Sequence, residues 1–281
     1  MKILIIGAKG MLGQEIVQIF SNSEKHEVVA WDKSDIDIIN FNQTQIKIEL
    51  LKPVIVINCA AYNNVDKAED EPELAYLLNS KAVENLARVC KLNSMIFVHY
   101  STDYIFEGDN QNGYLENDKP NPQSVYAKSK LAGEEAVQKI GGKFYIIRLS
   151  RLFGKPAVSE NAKKSFVDIM LNLAEAKKEI EVVDEEYSSP TYAPDLAQAT
   201  FDIIKFQSPY GIYHRTNNGD CTWFEFAKEI FKQRNLAIKL VPVSGDKFQR
   251  IAKRPKFSQL ISTKLPPLRP WQEALADYLN N

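Results

Sequence analysis

Apolar positions follow two alternating patterns along the first 150 residues of the chain. Short, almost wholly apolar runs occur at residues 2–6, 28–31, 54–57, 95–99 and 144–149. Runs of this kind are typical of parallel strands, which are buried on both faces. The segments between them place apolar residues three and four apart, which predicts helices. The alternation indicates an α/β fold built on a doubly wound parallel sheet.

The alternation loosens after the fifth of these strands. Further helices are predicted at 165–176, 195–206, 222–233 and from Trp271, with short strands at 180–183 and 211–214. Thr222 and Glu225 have the spacing of a capping box at the start of one of these helices. We expect residues 1–150 to form the first domain and residues 151–281 mainly a smaller, mixed α/β domain. Elements near residues 184–216 are expected to return to the first domain.

A glycine-rich turn follows the first predicted strand. Gly7, Gly10 and Gly13 have the spacing G-x-x-G-x-x-G, and Asp32 ends the next strand about twenty residues on. Small residues let the backbone approach a pyrophosphate, a helix N-terminus offers free N–H groups, and the acid can bind a ribose hydroxyl. The strand–turn–helix–strand setting favours a dinucleotide site over glycines that only make a tight turn.

The residues after the second strand leave the cofactor open between NADPH and NADH. Asp32 favours NADH, whereas the neighbouring Lys33 is suited to the 2′-phosphate of NADPH. Asp35 and Asp37 begin the next connection, where they either flank the adenine or act as turn and cap residues. Either use is consistent with their position in the sequence.

The fourth predicted strand and the helix after it carry candidate catalytic groups. Ser101, Thr102 and Asp103 come at the carboxyl end of the strand, where ligands bind in open α/β sheets. Tyr126 and Lys130 are four apart and share one face of the following helix. The cation is expected to lower the pKa of the phenol, with Thr102 contacting the same substrate oxygen. The alternative is a packed tyrosine with a solvated lysine.

Three other sets of residues each allow a functional and a purely structural interpretation. Ala60 and Ala61 follow the third strand, where small side chains permit either close approach of a cofactor or tight sheet–helix packing. Asn79, on the long helix predicted at 72–91, either braces the catalytic strand or is solvated. Arg254 lies in a basic cluster that either grips a nucleotide diphosphate or forms a solvated patch.

Composition narrows the class of protein. The net charge of −1 gives no general attraction to nucleic acid or to anionic membranes, and no apolar stretch is long enough to span a bilayer. The residues before Gly7 are too few for an export signal. The three cysteines and three histidines are scattered, so no metal site is predicted and a reducing, cytoplasmic location is expected.

Several longer motifs together resemble one enzyme family over essentially the whole chain. They are GAKGMLG from Gly7, STDYIF from Ser101, YAKSKLAGE from Tyr126 and AKRPKFSQL from Ala252. In order and spacing they resemble the extended short-chain dehydrogenase/reductases and, within them, the dTDP-4-dehydrorhamnose reductases. The resemblance implies a Rossmann-like first domain that binds NAD(P)H and a second domain that binds mainly a nucleotide sugar.

The resemblance also implies roles for particular residues. Cofactor contacts are implied for Gly10, Met11, Leu12, Asp37, Ile38, Ala60, Ala61, Tyr62, Tyr100, Tyr126 and Lys130. Thr102 and Asp103 would touch the sugar, and Tyr126 would be the proton donor. The implied reaction reduces the 4-keto group of a deoxyhexose nucleotide, most simply dTDP-4-dehydrorhamnose to dTDP-L-rhamnose. The alternatives are another nucleotide-sugar reductase or epimerase, and a non-catalytic NADP-binding subunit like the methionine adenosyltransferase β-subunit.

The chain departs from the family pattern at two places. Arg151 stands where many members have tryptophan, and Glu186 and Ser188 stand where many have glutamine and glycine. Arg151 follows the fifth strand, so we expect it either to contact the substrate or to form a surface ion pair with Glu185 or Glu186. The second departure lies near a metal-linked dimer contact of some members. A metal is therefore not inferred, and a homodimer is left open.

Overall fold

The computed structural model describes residues 1–158 and 164–280. Its strands are β1 (Lys2–Ile6), β2 (Glu27–Trp31), β3 (Ile55–Asn58), β4 (Ile96–Thr102), β5 (Phe144–Leu149), β6 (Leu152–Phe153), β7 (Glu179–Val183), β8 (Thr191–Tyr192), β9 (Gly211–His214) and β10 (Lys239–Val243). Six of them form one sheet in the order β2-β1-β3-β4-β5-β9, and every pairing in it is parallel. The predicted doubly wound parallel sheet is confirmed.

Helices cover both faces of this sheet. The α-helices of the described residues are α1 (Met11–Ser21), α2 (Phe41–Leu51), α3 (Lys67–Asp70), α4 (Pro72–Tyr76), α5 (Ala82–Leu92), α6 (Val125–Ile140), α7 (Phe166–Ala176), α8 (Ala193–Lys205), α9 (Trp223–Gln233) and α10 (Trp271–Asn280). Successive strand residues point to opposite faces of the sheet, so each strand contributes side chains to two hydrophobic cores. Ile5 and Val98 pack in the core that contains α1 and α8 residues, while Ile6 and Phe97 pack in the core shared with α5.

The C-terminal half has its own smaller core. Strands β7 and β10 pair in parallel, as do β6 and β8, and the buried side chains around them include Phe153, Val167, Phe226 and Trp271. Thr222 and Glu225 make the predicted capping box at the start of α9. Strand β9 pairs with β5, and α8 packs against α1, so these two later elements lie with the first sheet.

The long helix predicted over residues 72–91 is interrupted. A π-helical turn, Leu77–Lys81, separates α4 from α5. A π turn holds one more residue than an α turn, so it changes which side chains face inward. Here it buries Asn79 and Ser80, and such turns are frequent at functional sites. In the part of the chain that the structure describes, no helix combines the length and apolar character that spanning a bilayer requires.

Candidate active site

The candidate catalytic groups lie at the carboxyl end of β4. Thr102 ends the strand, and its hydroxyl oxygen accepts from the backbone N–H of Tyr104. Helix α6 begins beside it, where Ser124 acts as N-cap and accepts from the backbone N–H of Ala127. This cap places Tyr126 in the first turn of the helix, with Thr102 hydrogen-bonded to its phenol.

Lys130 follows Tyr126 by one helical turn and is fully enclosed. Its Nζ donates to the backbone carbonyl oxygen of Tyr100 at 2.6 Å, and only 3% of the residue is exposed. Tyr126 is also buried, with 9% exposed. The alternative of a packed tyrosine with a solvated lysine is therefore wrong. Tyr100 contacts the Lys130 ammonium through its backbone carbonyl oxygen. Its side-chain hydroxyl hydrogen-bonds to Thr200 Oγ1 at 2.8 Å instead.

The expected lowering of the Tyr126 pKa is also wrong, because burial raises this pKa and the nearby charge of Asp103 raises it further. Burial raises the pKa of Tyr126 to about 12, while the hydrogen bond with Thr102 opposes the rise. Burial lowers the pKa of Lys130 to about 8, and the carboxylate of Glu134 one turn along α6 opposes this change. The phenol is thus held as a proton donor beside an amine whose charge is lost in mildly alkaline solution.

Asp103 is sequestered behind Thr102. Its carboxylate accepts hydrogen bonds from the hydroxyls of Thr102 at 3.1 Å, Ser188 at 3.0 Å and Ser258 at 2.6 Å, and 2% of the residue is exposed. Burial raises the pKa of Asp103, and the hydroxyl donors oppose the rise. Asp103 orients Thr102 in this structure, and its contact with the sugar stays a prediction.

Ser188 and Ser258 are site residues that sequence reasoning missed. They lie 85 and 155 residues from Asp103 along the chain, so no spacing rule joins them to it. Ser188 was noted only as a departure from the family glycine. The departure has a structural consequence, because the Ser188 hydroxyl donates one of the hydrogen bonds to the buried Asp103 carboxylate.

The glycine turn is tightly packed and leaves the start of α1 uncapped. Gly7 has φ +77°, and a Cβ on it would lie 2.8 Å from the backbone nitrogen of Ala60. A Cβ on Gly13 would lie 2.1 Å from the carbonyl oxygen of Gly7, so only glycine fits there. Gly10 is the N-cap of α1 and has no side-chain cap, which leaves the first N–H groups of that helix for a ligand. Met11 begins the helix, and Leu12 packs in the sheet core.

A cavity of about 280 Å³ lies between this turn and the end of β2. Its lining comprises Ala8, Lys9, Gln14, Val17, Ala30, Asp32 and Asp35. The predicted ribose-binding Asp32 therefore faces a cavity beside the glycine turn, and Lys33 is exposed. Lys9 was missed, because a cation between two motif glycines has no distinctive sequence signal.

Asp35 and Asp37, after β2, make the turn and cap contacts that were the alternative to flanking the adenine. Asp35 accepts from the backbone N–H of Asp32, and Asp37 accepts from the backbone N–H of Ile39. Ile38 is 4% exposed and packs in the core shared with α5. These contacts order the loop, and contact of Asp37 and Ile38 with adenine stays a prediction.

The segment after β3 is held by Asn79. The Asn79 side chain binds both the N–H and the carbonyl group of Tyr62, and also Ser129 of α6. The solvated alternative for Asn79 is wrong, and the residue braces this segment and α6 rather than β4. The Tyr62 hydroxyl donates to Glu71 at 2.8 Å. The Ala60 N–H is bound by Asn58, and contact of the partly exposed Ala61 with the cofactor stays a prediction.

Arg151 is anchored by backbone and aromatic contacts. Its Nη1 donates to the carbonyl oxygen of Cys221 at 2.7 Å and its Nη2 to that of Glu186 at 2.6 Å. Its guanidinium carbon lies 4.0 Å from the centre of the Trp223 ring, a cation–π distance. The Glu186 carboxylate pairs with Arg250 instead. The ion-pair alternative therefore does not describe Arg151, whose substrate contact stays a prediction.

Arg254 is also fully engaged rather than solvated. It forms a two-pronged ion pair with Asp66, with both N–O distances 2.5 Å. The hydrogen bond from Arg254 lowers the pKa of Asp66 to about 2. The pair joins the segment after β3 to the C-terminal segment, and contact of Arg254 with a diphosphate stays a prediction.

The cysteines and possible metal ligands have no catalytic arrangement. Cys59, Cys90 and Cys221 are free thiols, and burial raises the pKa of each. Within residues 1–158 and 164–280, no three His, Cys, Asp or Glu side chains are grouped so as to hold a metal ion.

Comparison with known proteins gives consistent matches over the whole length. The profile of the family described as RmlD substrate binding domain matches residues 1–281. The chain is 35% identical to the spore coat polysaccharide biosynthesis protein SpsK of Bacillus subtilis, covering 99% of this chain and 96% of that protein. It is 34% identical to a dTDP-4-dehydrorhamnose reductase of Aggregatibacter actinomycetemcomitans, covering 98% and 97%.

A solved structure shows the same likeness in three dimensions. The dTDP-4-dehydrorhamnose reductase of Bacillus anthracis, in complex with NADP, superposes with a TM-score of 0.93 at 37% identity. The match covers 99% of this chain and 98% of that one.

Proposed function

The chain belongs to the family described as RmlD substrate binding domain, and from this membership we propose that it is an NAD(P)H-dependent reductase of a dTDP-activated 4-keto-deoxyhexose. The simplest substrate is dTDP-4-dehydrorhamnose, which is reduced to dTDP-L-rhamnose. Full-length relatives named dTDP-4-dehydrorhamnose reductase support this assignment.

One observation in the structure carries the proposal. Thr102, Tyr126 and Lys130 converge at the carboxyl end of β4, and each is at least nine-tenths buried. A buried phenol with a hydroxyl partner and a fixed cation one turn away is an arrangement for moving a proton to an oxygen. This arrangement favours a catalytic protein over one that only binds a nucleotide.

The residues present fit a dinucleotide cofactor. The uncapped N-terminus of α1 after Gly10 would hold the diphosphate, and Asp32 in the adjoining cavity would hold the ribose. Lys9 in the same cavity and exposed Lys33 supply cations suited to a 2′-phosphate, which supports NADPH. NADH stays open because Asp32 suits an unmodified ribose. When bound, the cofactor supplies a hydride to C4 of the sugar and is oxidised as the ketone becomes an alcohol.

The protein supplies the proton and the orientation. Tyr126 donates its phenolic proton to the developing oxygen at C4, and Thr102 holds the same oxygen. Lys130 stabilises the resulting phenolate, because a nearby cation favours the charged form of the phenol. Asp103 keeps the Thr102 hydroxyl in place through the hydrogen bond described above.

Location and assembly are part of the proposal. We place the protein in the cytoplasm, and the three free thiols support a reducing compartment. A homodimer stays a prediction.

The experiment mixes purified protein with NADPH or NADH and a panel of 4-keto sugar nucleotides that includes dTDP-4-dehydrorhamnose. Cofactor oxidation and the sugar product are followed together. We expect oxidation matched by formation of the reduced sugar. An altered sugar without net oxidation would show an epimerase, and cofactor binding without turnover of any substrate would show a binding subunit.

A further inference from the structure

The chain segments that follow β7 and β10 begin side by side. The two strands pair in parallel, with Val183 opposite Val243, so both segments start at the same edge of this small sheet. Glu185 of the first segment holds the second, because its Oε1 accepts from the Gly245 N–H at 2.6 Å and from Ser244 Oγ at 3.1 Å. The segment after β10 is therefore fixed at its start by a carboxylate.

Residues 244–254, here called the strap, are held at both ends and lightly packed between them. At the far end Arg254 forms the two-pronged ion pair with Asp66. Between the ends, the apolar residues Phe248 and Ile251 are 41% and 67% exposed. Polar contacts rather than apolar burial therefore keep the strap in place.

Arg250 lies between these two ends and contacts Glu186. Its Nη2 is 2.5 Å from Glu186 Oε1, and 24% of its side chain is exposed. The guanidinium lies against the start of the strap, since a Cβ on Gly245 would be 2.3 Å from Nη2. Among the residues that the structure describes, Glu186 is the one polar partner of Arg250. A guanidinium carries five N–H donors, so Arg250 can bind a further acceptor.

Two other arginines near this site already have several fixed partners. Arg151 donates to two backbone carbonyl oxygens and lies on the Trp223 ring. Arg254 donates through both Nη atoms to Asp66. A new anion at either residue would compete with these contacts, whereas Arg250 has only one ion pair to exchange.

The ion pair of Glu186 and Arg250 borders the site of the proton donor. Tyr104 lies edge-on to Tyr126, with ring centres 6.2 Å apart. Burial raises the pKa of Tyr104, and the charges of Asp103 and Glu186 raise it further. Because such an effect falls with distance, Glu186 lies near this ring. A cation paired with Glu186 is therefore close to the place where the substrate reacts.

A nucleoside diphosphate has the chemistry to exchange with this carboxylate. Arginine binds phosphate oxygens through paired N–H donors, and a diphosphate carries more charge than one carboxylate. Glu186 keeps a partner when it releases Arg250, since its Oε2 accepts from Trp223 Nε1 at 3.0 Å. The exchange therefore leaves no buried carboxylate without a hydrogen bond.

We propose that Arg250 binds the diphosphate of the sugar nucleotide and that Glu186 competes with the nucleotide for this arginine. The inference rests on the proposed reductase function, whose substrate carries that diphosphate. Binding draws the strap over the substrate, because Arg250 lies between the two ends of the strap. Nucleotide affinity is then set by a competition between one carboxylate and the diphosphate.

Calorimetric titration with dTDP tests the proposal, and thymidine is the probe that lacks the diphosphate. Saturating NADPH is present, so that dTDP reports on the sugar-nucleotide site alone. Arg250→Ala should weaken dTDP binding roughly five- to thirtyfold, the effect of a charge-assisted hydrogen bond less the ion pair that it replaces. Arg250→Lys should weaken it less, because the charge remains and only the fork of donors is lost. Thymidine affinity should be unchanged in both variants.

Glu186→Gln tests the competing carboxylate. Glutamine keeps an oxygen for Trp223 Nε1 but loses the ion pair, so Arg250 is released and dTDP binding should tighten about two- to fivefold. Glu181→Gln is the matched control, since Glu181 pairs with Lys247 of the strap at 2.9 Å and the change in net charge is the same. Lys247→Ala is the corresponding control for Arg250→Ala. Both controls should bind dTDP as the wild type does.

Melting temperatures establish that each variant is folded under the conditions of the titration. Wild-type dTDP affinity in Arg250→Ala would overturn the proposal. Equal losses of dTDP and thymidine affinity would also overturn it, because Arg250 would then support only the shape of the site. A Glu186→Gln variant whose dTDP affinity does not rise would overturn the competition.

The wild-type protein separates the inference from the proposed function. Binding of dTDP that depends on Arg250, without reduction of any keto sugar, would overturn the proposed function and leave the inference standing. A wild-type protein that binds no dTDP would overturn both.

Discussion

The ammonium of Lys130 donates to the backbone carbonyl oxygen of Tyr100 at 2.6 Å. The cation is therefore held by the strand that carries Thr102, not by a second side chain. Burial lowers the pKa of Lys130 to about 8, so this cation titrates within the range of an ordinary enzyme assay.

The first prediction concerns the pH dependence of activity. Below about pH 8 Lys130 is charged, and Tyr126 stays protonated because burial raises its pKa to about 12. kcat/KM should therefore be level at lower pH and fall as pH rises through about 8, the pKa of Lys130. Initial rates at saturating cofactor from pH 6 to 10, in buffers of about equal ionic strength, test this.

Two variants assign the alkaline limb to Lys130. Glu134→Gln should shift the limb to lower pH, because the Glu134 charge opposes the lowering of the Lys130 pKa. The remaining activity of Lys130→Arg should show no fall in kcat/KM at alkaline pH, since a guanidinium stays charged. A wild-type profile that is level to pH 10 would show that Lys130 does not titrate in the working range.

The second prediction separates chemistry from binding at Tyr126. Tyr126→Phe keeps the ring and its packing but removes the proton, so kcat should fall roughly 10²- to 10⁴-fold. The Kd for NADPH should change little, because only the hydroxyl is lost. Steady-state kinetics and nicotinamide fluorescence measure the two quantities.

Tyr210→Phe is the matched control, because Tyr210 is 48% exposed and directly precedes β9, whose first residue pairs with the start of β5 rather than with its carboxyl end. It should have wild-type kcat. Equal kcat in the wild type and Tyr126→Phe would remove Tyr126 as the proton donor.

The third prediction concerns the glycine turn. A Cβ on Gly10 would lie 3.2 Å from the Gly7 carbonyl oxygen, and the backbone there is extended, so valine is accommodated with a small shift. Gly10→Val should leave the melting temperature nearly unchanged and abolish NADPH binding, because the added methyl groups occupy the place of the diphosphate. Titration followed by nicotinamide fluorescence measures the affinity.

Gly13→Val provides the contrast in stability. Its Cβ would lie 2.1 Å from a backbone oxygen, so this variant should unfold at a much lower temperature or not accumulate. A folded Gly10→Val variant with wild-type affinity would place the cofactor elsewhere.

The fourth prediction concerns Arg151. Its guanidinium is held by two carbonyl oxygens and the Trp223 ring at the end of β5. If it contacts the substrate, Arg151→Ala loses a charge-assisted hydrogen bond of about 1.5–3 kcal/mol, and kcat/KM should fall roughly ten- to a hundredfold. NADPH affinity should be unchanged. Arg151→Trp should shift preference towards dTDP-4-dehydrorhamnose within a panel of keto sugars.

Arg88→Ala is the control, since Arg88 makes an exposed ion pair with Glu84 on α5. It should match the wild type throughout. Wild-type kcat/KM across the panel in both Arg151 variants would place Arg151 outside the substrate site.

Local patterns were sufficient to predict the fold class and the motifs that carry the chemistry. Each strand of the first domain is a short apolar run, and the glycine turn lies between a strand and a helix, so adjacent residues hold the information. The spacing of Tyr126 and Lys130 predicted their shared face, because four residues make about one helical turn. The capping box at Thr222 was predicted for the same local reason.

The pKa values of buried groups depend on desolvation and could not be predicted from local sequence patterns. Sequence reasoning expected a cation to lower the Tyr126 pKa, yet burial raises it. The free energy of a charge depends on every group packed around it, and the groups around Tyr126 come from the segment after β3, from α3 and α4, and from Tyr104. Composition and spacing carry no measure of that enclosure.

The sequence by itself therefore determined the alternation of strands and helices over the first 150 residues, the glycine turn and the candidate proton donor. Only the tertiary structure decided what Asp103, Asn79 and Arg151 do. Asp103 accepts hydrogen bonds from Ser188 and Ser258. Asn79 binds Tyr62 and Ser129, and Arg151 lies against the Trp223 ring. These partners are distant in the chain and are brought together only by tertiary packing, which no local period encodes.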